Sequence, residues 1–449
     1  MHIPDGYLSP ASAGALYVTS VPFWAIAVSR VRSALRGRTV PLLAVFSAFS
    51  FAIMMFNVPV PGGTTAHGVG GTLAAIVIGP WAAVLSTSVA LIIQALFFGD
   101  GGITAIGANC FNMAVMLPLS GYTVYRLLSG RSDPLAQRRV IAAAIGAYAG
   151  ITIAALLVGL ELGIQPRLWS TNGVPDYSPY GFASAIPAML AAHAFGASFV
   201  EAAITALSLA YLQRAYPELV LRREPRRDDG GTPARAINPW LPALGFVAVS
   251  LAIIFVAGLV RSGGDLRQWG GLDWSSVDWG VAGGTVLVSV IVSAVVLPAL
   301  FILLRGRSGT RTVAMVFAAL IIWAPIGLIA PGGAFAEDQS ATPEQVSAAL
   351  QAQANGDSTL FDALPDVNKV CRCVPNKINN VNYSSHTVLS GYQPPWVNAD
   401  TDPAWKQNVG YQIAGALGVA ILGLVLFALY RFGRWLVPAA PPDWRQAEY

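Results

Sequence analysis

Ten apolar runs, each about as long as a bilayer-spanning helix, divide this chain of 449 residues. They lie near 10–29, 40–57, 81–98, 107–126, 139–160, 184–212, 238–260, 280–304, 312–330 and 410–430. No soluble core absorbs that many. Only 11% of the residues are charged and the mean hydropathy is +0.57, whereas soluble domains carry about 25% charged residues. Lipid must therefore cover what polar side chains do not. The expected fold is an all-α polytopic membrane protein.

A shorter run at 70–79, Gly-Gly-Thr-Leu-Ala-Ala-Ile-Val-Ile-Gly, is too short for a straight span. The arginines argue that it crosses nevertheless. With the N-terminus outside, 20 of the 27 basic residues fall in inner segments at 30–38, 126–139, 214–235, 305–311 and 431–449, and 15 of the 23 acidic residues fall outside. This is the positive-inside asymmetry. Dropping the short crossing would put the arginines of 126–139 on the wrong side. The expectation is about eleven segments, with the N-terminus outside and the C-terminus cytoplasmic. A short, glycine-flanked crossing is tolerable only where its backbone is buried in protein or lines a cavity.

Composition breaks at 214–236, where Arg222-Arg223-Glu224-Pro225-Arg226-Arg227-Asp228-Asp229-Gly230-Gly231 reads as a charged cytoplasmic linker. It separates a seven-segment module, 1–213, from a four-segment module, 237–449, whose last two spans flank an extracytoplasmic loop at 331–408. The start of the chain has no basic n-region and does not read as a signal peptide. The run from Arg311 to Ala334-Phe335-Ala336 has signal-peptide features but reads as an ordinary span. The three lysines, Lys369, Lys377 and Lys406, stand outside any G-x-x-x-x-G-K-[ST] frame, so a P-loop ATPase is excluded.

The histidines number four: His2, His67, His193 and His386. A histidine in second position can grip one ion through its imidazole, its backbone nitrogen and the α-amino group of Met1, in fused five- and six-membered rings. A fourth nitrogen completes a square, a geometry of Ni²⁺ or Cu²⁺ rather than Zn²⁺, Mg²⁺ or Ca²⁺. His67 is placed to supply it. The loop 57–68 is rich in Pro and Gly, and Asn57, Thr64 and Thr65 could orient the imidazole through hydrogen bonds. Residue types alone leave two plainer readings open: His2 as surface decoration, and His67 as a cap of backbone groups.

Four stretches resemble the CbiM/NikM family, the substrate-capture (S) components of energy-coupling-factor transporters for nickel and cobalt. They are Met1-His-Ile-Pro-Asp-Gly-Tyr-Leu-Ser-Pro10, Pro61-Gly-Gly-Thr-Thr-Ala-His67, Phe98-Gly-Asp-Gly-Gly-Ile-Thr-Ala-Ile-Gly-Ala-Asn109-Cys-Phe-Asn112 and the span around Glu201-Ala-Ala-Ile-Thr205. The resemblance covers roughly residues 1–215. It implies an ion held in a plane by the Met1 amine, the His2 backbone and side chain, and His67. It also implies a companion T component and two ATPase subunits, and a transported Ni²⁺ or Co²⁺ rather than an enzyme cofactor. Residues 312–430 resemble a fused accessory protein of the CbiN/NikN type, although the two spans at 238–304 depart from its minimal pattern.

Other residues carry open readings. His193 and Glu201 share a helix face and suit either a proton or ion relay or interhelical hydrogen bonding. Asn109 and Asn112 could steady the metal loop, or cap and pack a helix. Asp100 sits in an outer turn, where it could attract cations or serve only the chemistry of an Asp-Gly turn. Cys371 and Cys373 could form a disulfide, handle metal together with His386, or do neither, and Cys110 reads as core packing. The expected function is capture of Ni²⁺ or Co²⁺ for import across the cytoplasmic membrane, with no nucleic-acid partner. The alternatives are an intramembrane metal-dependent hydrolase using His193, Glu201 and Asp100, and a non-transporting metal sensor or scaffold.

Overall fold

The computed structural model describes residues 1–31, 39–56, 58–60, 64–221, 268–269, 272–273, 279–305, 308–325, 341–364, 366–378, 383, 387–398 and 401–436. The chain is mostly helical, as its apolar runs require. The first seven helices are α1 (Pro10–Val31), α2 (Thr39–Met55), α3 (Gly71–Val77), α4 (Pro80–Ile93), α5 (Ile106–Asn109), α6 (Leu117–Ser129) and α7 (Gln137–Leu168). They are followed by α8 (Phe182–Ala192), α9 (Ser198–Ala215), α10 (Pro217–Leu221), α11 (Trp279–Leu303), α12 (Ser308–Trp323) and, as the last long rod, α13 (Ala404–Leu436). The apolar run 238–260 and the inside loop 30–38, apart from Arg30 and Val31, lie outside the described residues.

Among the described residues, five helices are long and apolar enough to cross a bilayer: Pro10–Val31, Pro80–Phe98, Gln137–Leu168, Thr285–Leu303 and Trp405–Ala428. Shorter apolar helices run Pro41–Met55, Phe182–Ala192 and Arg311–Trp323. Three of the rods are interrupted by π-helical turns: Gln94–Phe98 continues α4, Cys110–Met116 joins α5 to α6, and His193–Ala197 joins α8 to α9. A π turn inserts one residue into the helical ladder and is frequent where a helix meets a functional site.

The short run at 70–79 forms α3, and all seven of its residues are buried by α4, α6, α7 and α9. Gly70 and Gly79 bound it with φ of +73° and +95°. Small residues let α7 reach the centre. A Cβ on Gly146 would stand 2.6 Å from the Gly121 carbonyl oxygen, and one on Gly150 2.6 Å from that of Leu117. Close backbone approach of this kind is how helices associate in lipid. Leu287, Val295 and Leu303 of α11 and Leu424 and Phe427 of α13 stay exposed, as lipid-facing positions should.

The two halves of the chain touch along α13. Tyr411 donates its hydroxyl to the Met55 carbonyl at 2.9 Å, and Gly415 and Gly418 lie against Met55 and Phe51. In the segment between α12 and α13, Thr342 and Gln345 form a reciprocal capping box on the helix Pro343–Ala354, and Val346, Ala349 and Leu364 build a small core. Cys371 and Cys373 form a disulfide, while His386 lies outside the described residues. Cys110 is buried in the main apolar core.

Candidate metal centre

The first nine residues are not a loose tail. They pass inward along α5, and the register is set by one carboxamide: the Ile3 N–H donates to Asn109 Oδ1 at 2.8 Å, and Asn109 Nδ2 donates to the Ile3 carbonyl at 3.0 Å. The Gly102 N–H also reaches the Ile3 carbonyl, at 2.9 Å. Asp5 Oδ1 accepts from Thr104 N at 2.9 Å and from Thr104 Oγ1 at 2.6 Å, and Oδ2 accepts from Tyr383 N at 3.1 Å. A Cβ on Gly102 would lie 2.3 Å from the Asp5 nitrogen, so only glycine admits the segment here. Ile3 is completely buried and Met1 nearly so.

This docking delivers His2 to His67. His2 Nδ1 and His67 Nε2 stand 3.2 Å apart, with ring centroids 4.9 Å apart. His67 follows the strand pair β1 (Val58–Val60) and β2 (Thr64–Ala66), a hairpin that the sequence pattern does not reveal. His67 Nδ1 lies 3.1 Å from the Gly68 carbonyl. A carbonyl can only accept, so Nδ1 carries the proton and Nε2 presents a bare lone pair. Burial holds the His67 imidazole well below its ordinary pKa, helped by the amine of Met1 and by His2. It is therefore a neutral ligand-ready ring.

Asp100, expected in a cation-attracting turn or in a hydrolase constellation, stands instead beside His2. Its Oδ1 lies 3.0 Å from His2 Nδ1. Its Oδ2 accepts from Gln94 Nε2 at 3.2 Å and from the Tyr392 hydroxyl, which also accepts from Gln94 Nε2 at 2.6 Å. Burial alone would raise the Asp100 carboxyl, yet the His2 imidazole beside it, with hydrogen bonds from His2 and Tyr392, holds it below the usual carboxylate range. Tyr392 comes from the segment before α13, so the C-terminal half reaches the centre. The signal for Asp100 was present in Phe98-Gly-Asp-Gly-Gly, where Gly99 and Gly101 take φ of +66° and +86°.

The remaining candidates divide. Asn109 grips the N-terminal segment rather than the His67 loop. Asn112 Nδ2 donates to Glu161 Oε2 at 2.8 Å. Asn57 lies outside the described residues, as do the side chains of Thr64 and Thr65. His193 Nδ1 bonds the Met189 carbonyl at 2.8 Å within its own helix. Glu201 Oε2 accepts the Val69 and Gly70 amides at 2.7 and 2.9 Å. His193, Glu201 and Asp100 thus each engage a different partner, and the hydrolase constellation is not assembled. Among the described residues no three His, Cys, Asp or Glu side chains form a group that could hold a metal.

Residues 2–219 match the model of a family described as the cobalt uptake substrate-specific transmembrane region. The chain is 45% identical over 277 residues to the fused nickel transport protein NikMN of Rhodobacter capsulatus, covering 62% of this chain and 77% of that one. It is 45% identical over 272 residues to a protein of Lactiplantibacillus plantarum named as a fused nickel transport protein, LarMN, covering 60% and 78% respectively. A cobalt transport protein, CbiM of Geobacter sulfurreducens, is 31% identical over 281 residues, with 61% of this chain and 75% of that one covered.

Proposed function

Since the chain belongs to the CbiM/NikM family of metal uptake proteins, in the fused form with a NikN-like part, we propose that it captures Ni²⁺ or Co²⁺ through a planar set of four nitrogens. The set is the Met1 amine, the His2 backbone nitrogen, His2 Nδ1 and His67 Nε2. It is a multi-pass membrane protein and a transport component, not an enzyme. In the proposed topology the centre opens to the outside, residues 1–213 form the capture module, 214–236 the linker, and 237–449 the accessory-like module.

One observation carries the reading. Metal–nitrogen bonds of about 2.0–2.1 Å put neighbouring corners of a square about 2.9 Å apart, and His2 Nδ1 and His67 Nε2 stand 3.2 Å apart. An ion entering between them needs little movement of either ring. The Asn109 and Gly102 contacts hold the three-nitrogen chelate where the fourth ligand waits, so much of the ordering entropy is already spent on folding. The planar nitrogen set favours nickel by coordination preference.

Energy comes from elsewhere in this proposal: a T component and two ATPase subunits form an energy-coupling-factor transporter with this chain. Metal analysis of the protein with its native N-terminus tests the site. It should carry nickel or cobalt, and His2→Ala and His67→Ala proteins should lose it. Purification of the chain alone from cells that express all the subunits, with no ATPase attached and metal uptake intact, would overturn the assembly.

A further inference from the structure

Glu201 is the buried acid that the capture site leaves unexplained. It sits on α9 with no exposure to solvent, and an ionisable group at membrane depth is expensive to keep. Its Oε1 has no hydrogen-bond partner among the described residues, so no ion pair or side-chain network there accounts for it. The other oxygen, Oε2, accepts from the backbone that follows His67, Val69 N at 2.7 Å and Gly70 N at 2.9 Å, and the Gly71 and Thr72 amides face the same carboxylate. Residue 70, where a helix ordinarily carries a capping Ser, Thr, Asp or Asn, is a glycine with φ of +73° and makes no side-chain cap. Glu201 caps α3 from another helix.

The consequence reaches the imidazole in three steps. Glu201 fixes the amides of Val69 and Gly70. The chain between them and His67 is a single residue, Gly68, where even a Cβ would sit 3.1 Å from Glu201 Oε2 and 3.1 Å from Ile53. The Gly68 carbonyl in turn takes the His67 Nδ1 proton, which sets both the tautomer and the direction of Nε2. We infer that Glu201 is a positioning residue for metal capture: it holds the His67 loop so that the Nε2 lone pair faces the His2 chelate. This inference rests on His67 being a ligand.

The test is a double-mutant cycle read by metal affinity in the full chain with its native N-terminus. Cu²⁺ serves as the probe because it stands highest among the divalent ions for nitrogen sites and remains measurable on the three-nitrogen chelate alone. Glu201→Leu should weaken Cu²⁺ binding by about 10- to 100-fold, the usual loss when the group that orients a ligand is removed. Glu201→Gln, which keeps an acceptor oxygen at the same reach, should restore most of it. In a His67→Ala background Glu201→Leu should cost nothing further, since there is no imidazole left to aim. Should Glu201→Leu fail to fold, Glu201→Asp, with its carboxylate drawn back by one methylene, carries the same comparison and should weaken binding only when His67 is present.

A purely structural cap would lower the melting temperature while leaving affinity unchanged, or weaken binding equally in both backgrounds. Either result overturns the role of Glu201. If His67→Ala alone leaves affinity unchanged, the ligand assignment fails instead, and the two failures are distinct.

Discussion

The Asp100 carboxylate oxygen Oδ1 stands 3.0 Å from His2 Nδ1, the nitrogen that a chelated ion takes in the proposed site. Without metal, that nitrogen lies against both the Asp100 carboxylate and His67 Nε2; on binding, the carboxylate faces a cation. Its negative charge then offsets part of the ion's own. Asp100→Asn keeps the shape and removes the charge, and should weaken Ni²⁺ affinity by roughly tenfold, about 1.4 kcal/mol, as measured by chelator competition. Unchanged affinity would mean that Asp100 serves only the metal-free protein.

Proton release follows from the same chemistry. Chelation through the His2 backbone nitrogen displaces a peptide N–H proton that no pH near neutrality removes by itself. Calorimetry in buffers of different ionisation enthalpy should find at least one proton released for each ion bound near pH 8. The apparent affinity should rise with pH. Zero release would exclude the backbone nitrogen.

His67 contributes little to that slope near neutrality, since its pKa is already well below 6.5 and the ring is neutral there. Its effect lies in stability. A depressed histidine pKa means that the unfolded chain binds the proton more readily, so the stabilisation is complete above 6.5 and is lost as pH falls toward the folded value. The melting temperature of the metal-free protein should drop on acidification below about pH 6.5, and a His67→Gln protein should show a flatter profile over the same range.

The docking of residues 1–9 is testable apart from the ligands. Gly102→Ala drives a methyl group into the Asp5 backbone nitrogen, and Asn109→Leu leaves the buried Ile3 N–H without its carboxamide acceptor. A lost buried hydrogen bond costs about 1–3 kcal/mol. Both proteins should reach the membrane yet bind nickel at least tenfold more weakly. Full affinity in either would show that the segment needs no preformed bed.

The predominance of apolar helices was legible in the sequence, though not a count of eleven crossings. The nearness of His2 to His67 followed from the family resemblance rather than from residue types, and the contacts around the pair were hidden. A long apolar run declares its helix through local chemistry alone. The three π turns, by contrast, leave no periodic trace, because one inserted residue barely alters an apolar pattern. The hairpin Val58–Ala66 lies in a run of Pro, Gly and Thr that has no strand alternation. Glu201 was read as half of a face shared with His193, but its partner is the backbone of residues 69 and 70, more than 130 positions away. No spacing encodes such a contact. Tyr392, which joins Asp100 from the far half of the chain, was hidden for the same reason.

Tyr392 offers a measure of how far the C-terminal half supports the site. Its hydroxyl binds Asp100 and Gln94, and its ring packs on Phe51, Phe98 and Tyr411. Tyr392→Phe keeps the packing and deletes two hydrogen bonds, one to the charged Asp100 and one from Gln94, the first alone a loss of about 1.5–3 kcal/mol in stability. The melting temperature should fall, with a smaller loss of nickel affinity than Asp100→Asn causes.

The most direct measurement concerns the amine of Met1. A protein acetylated enzymatically on the Met1 amine keeps every side chain and removes only that nitrogen's lone pair. Metal analysis and nickel titration of the two proteins, free and acetylated, should find tight equimolar binding in the first and its loss in the second. Unchanged nickel affinity in the acetylated protein would contradict the four-nitrogen site.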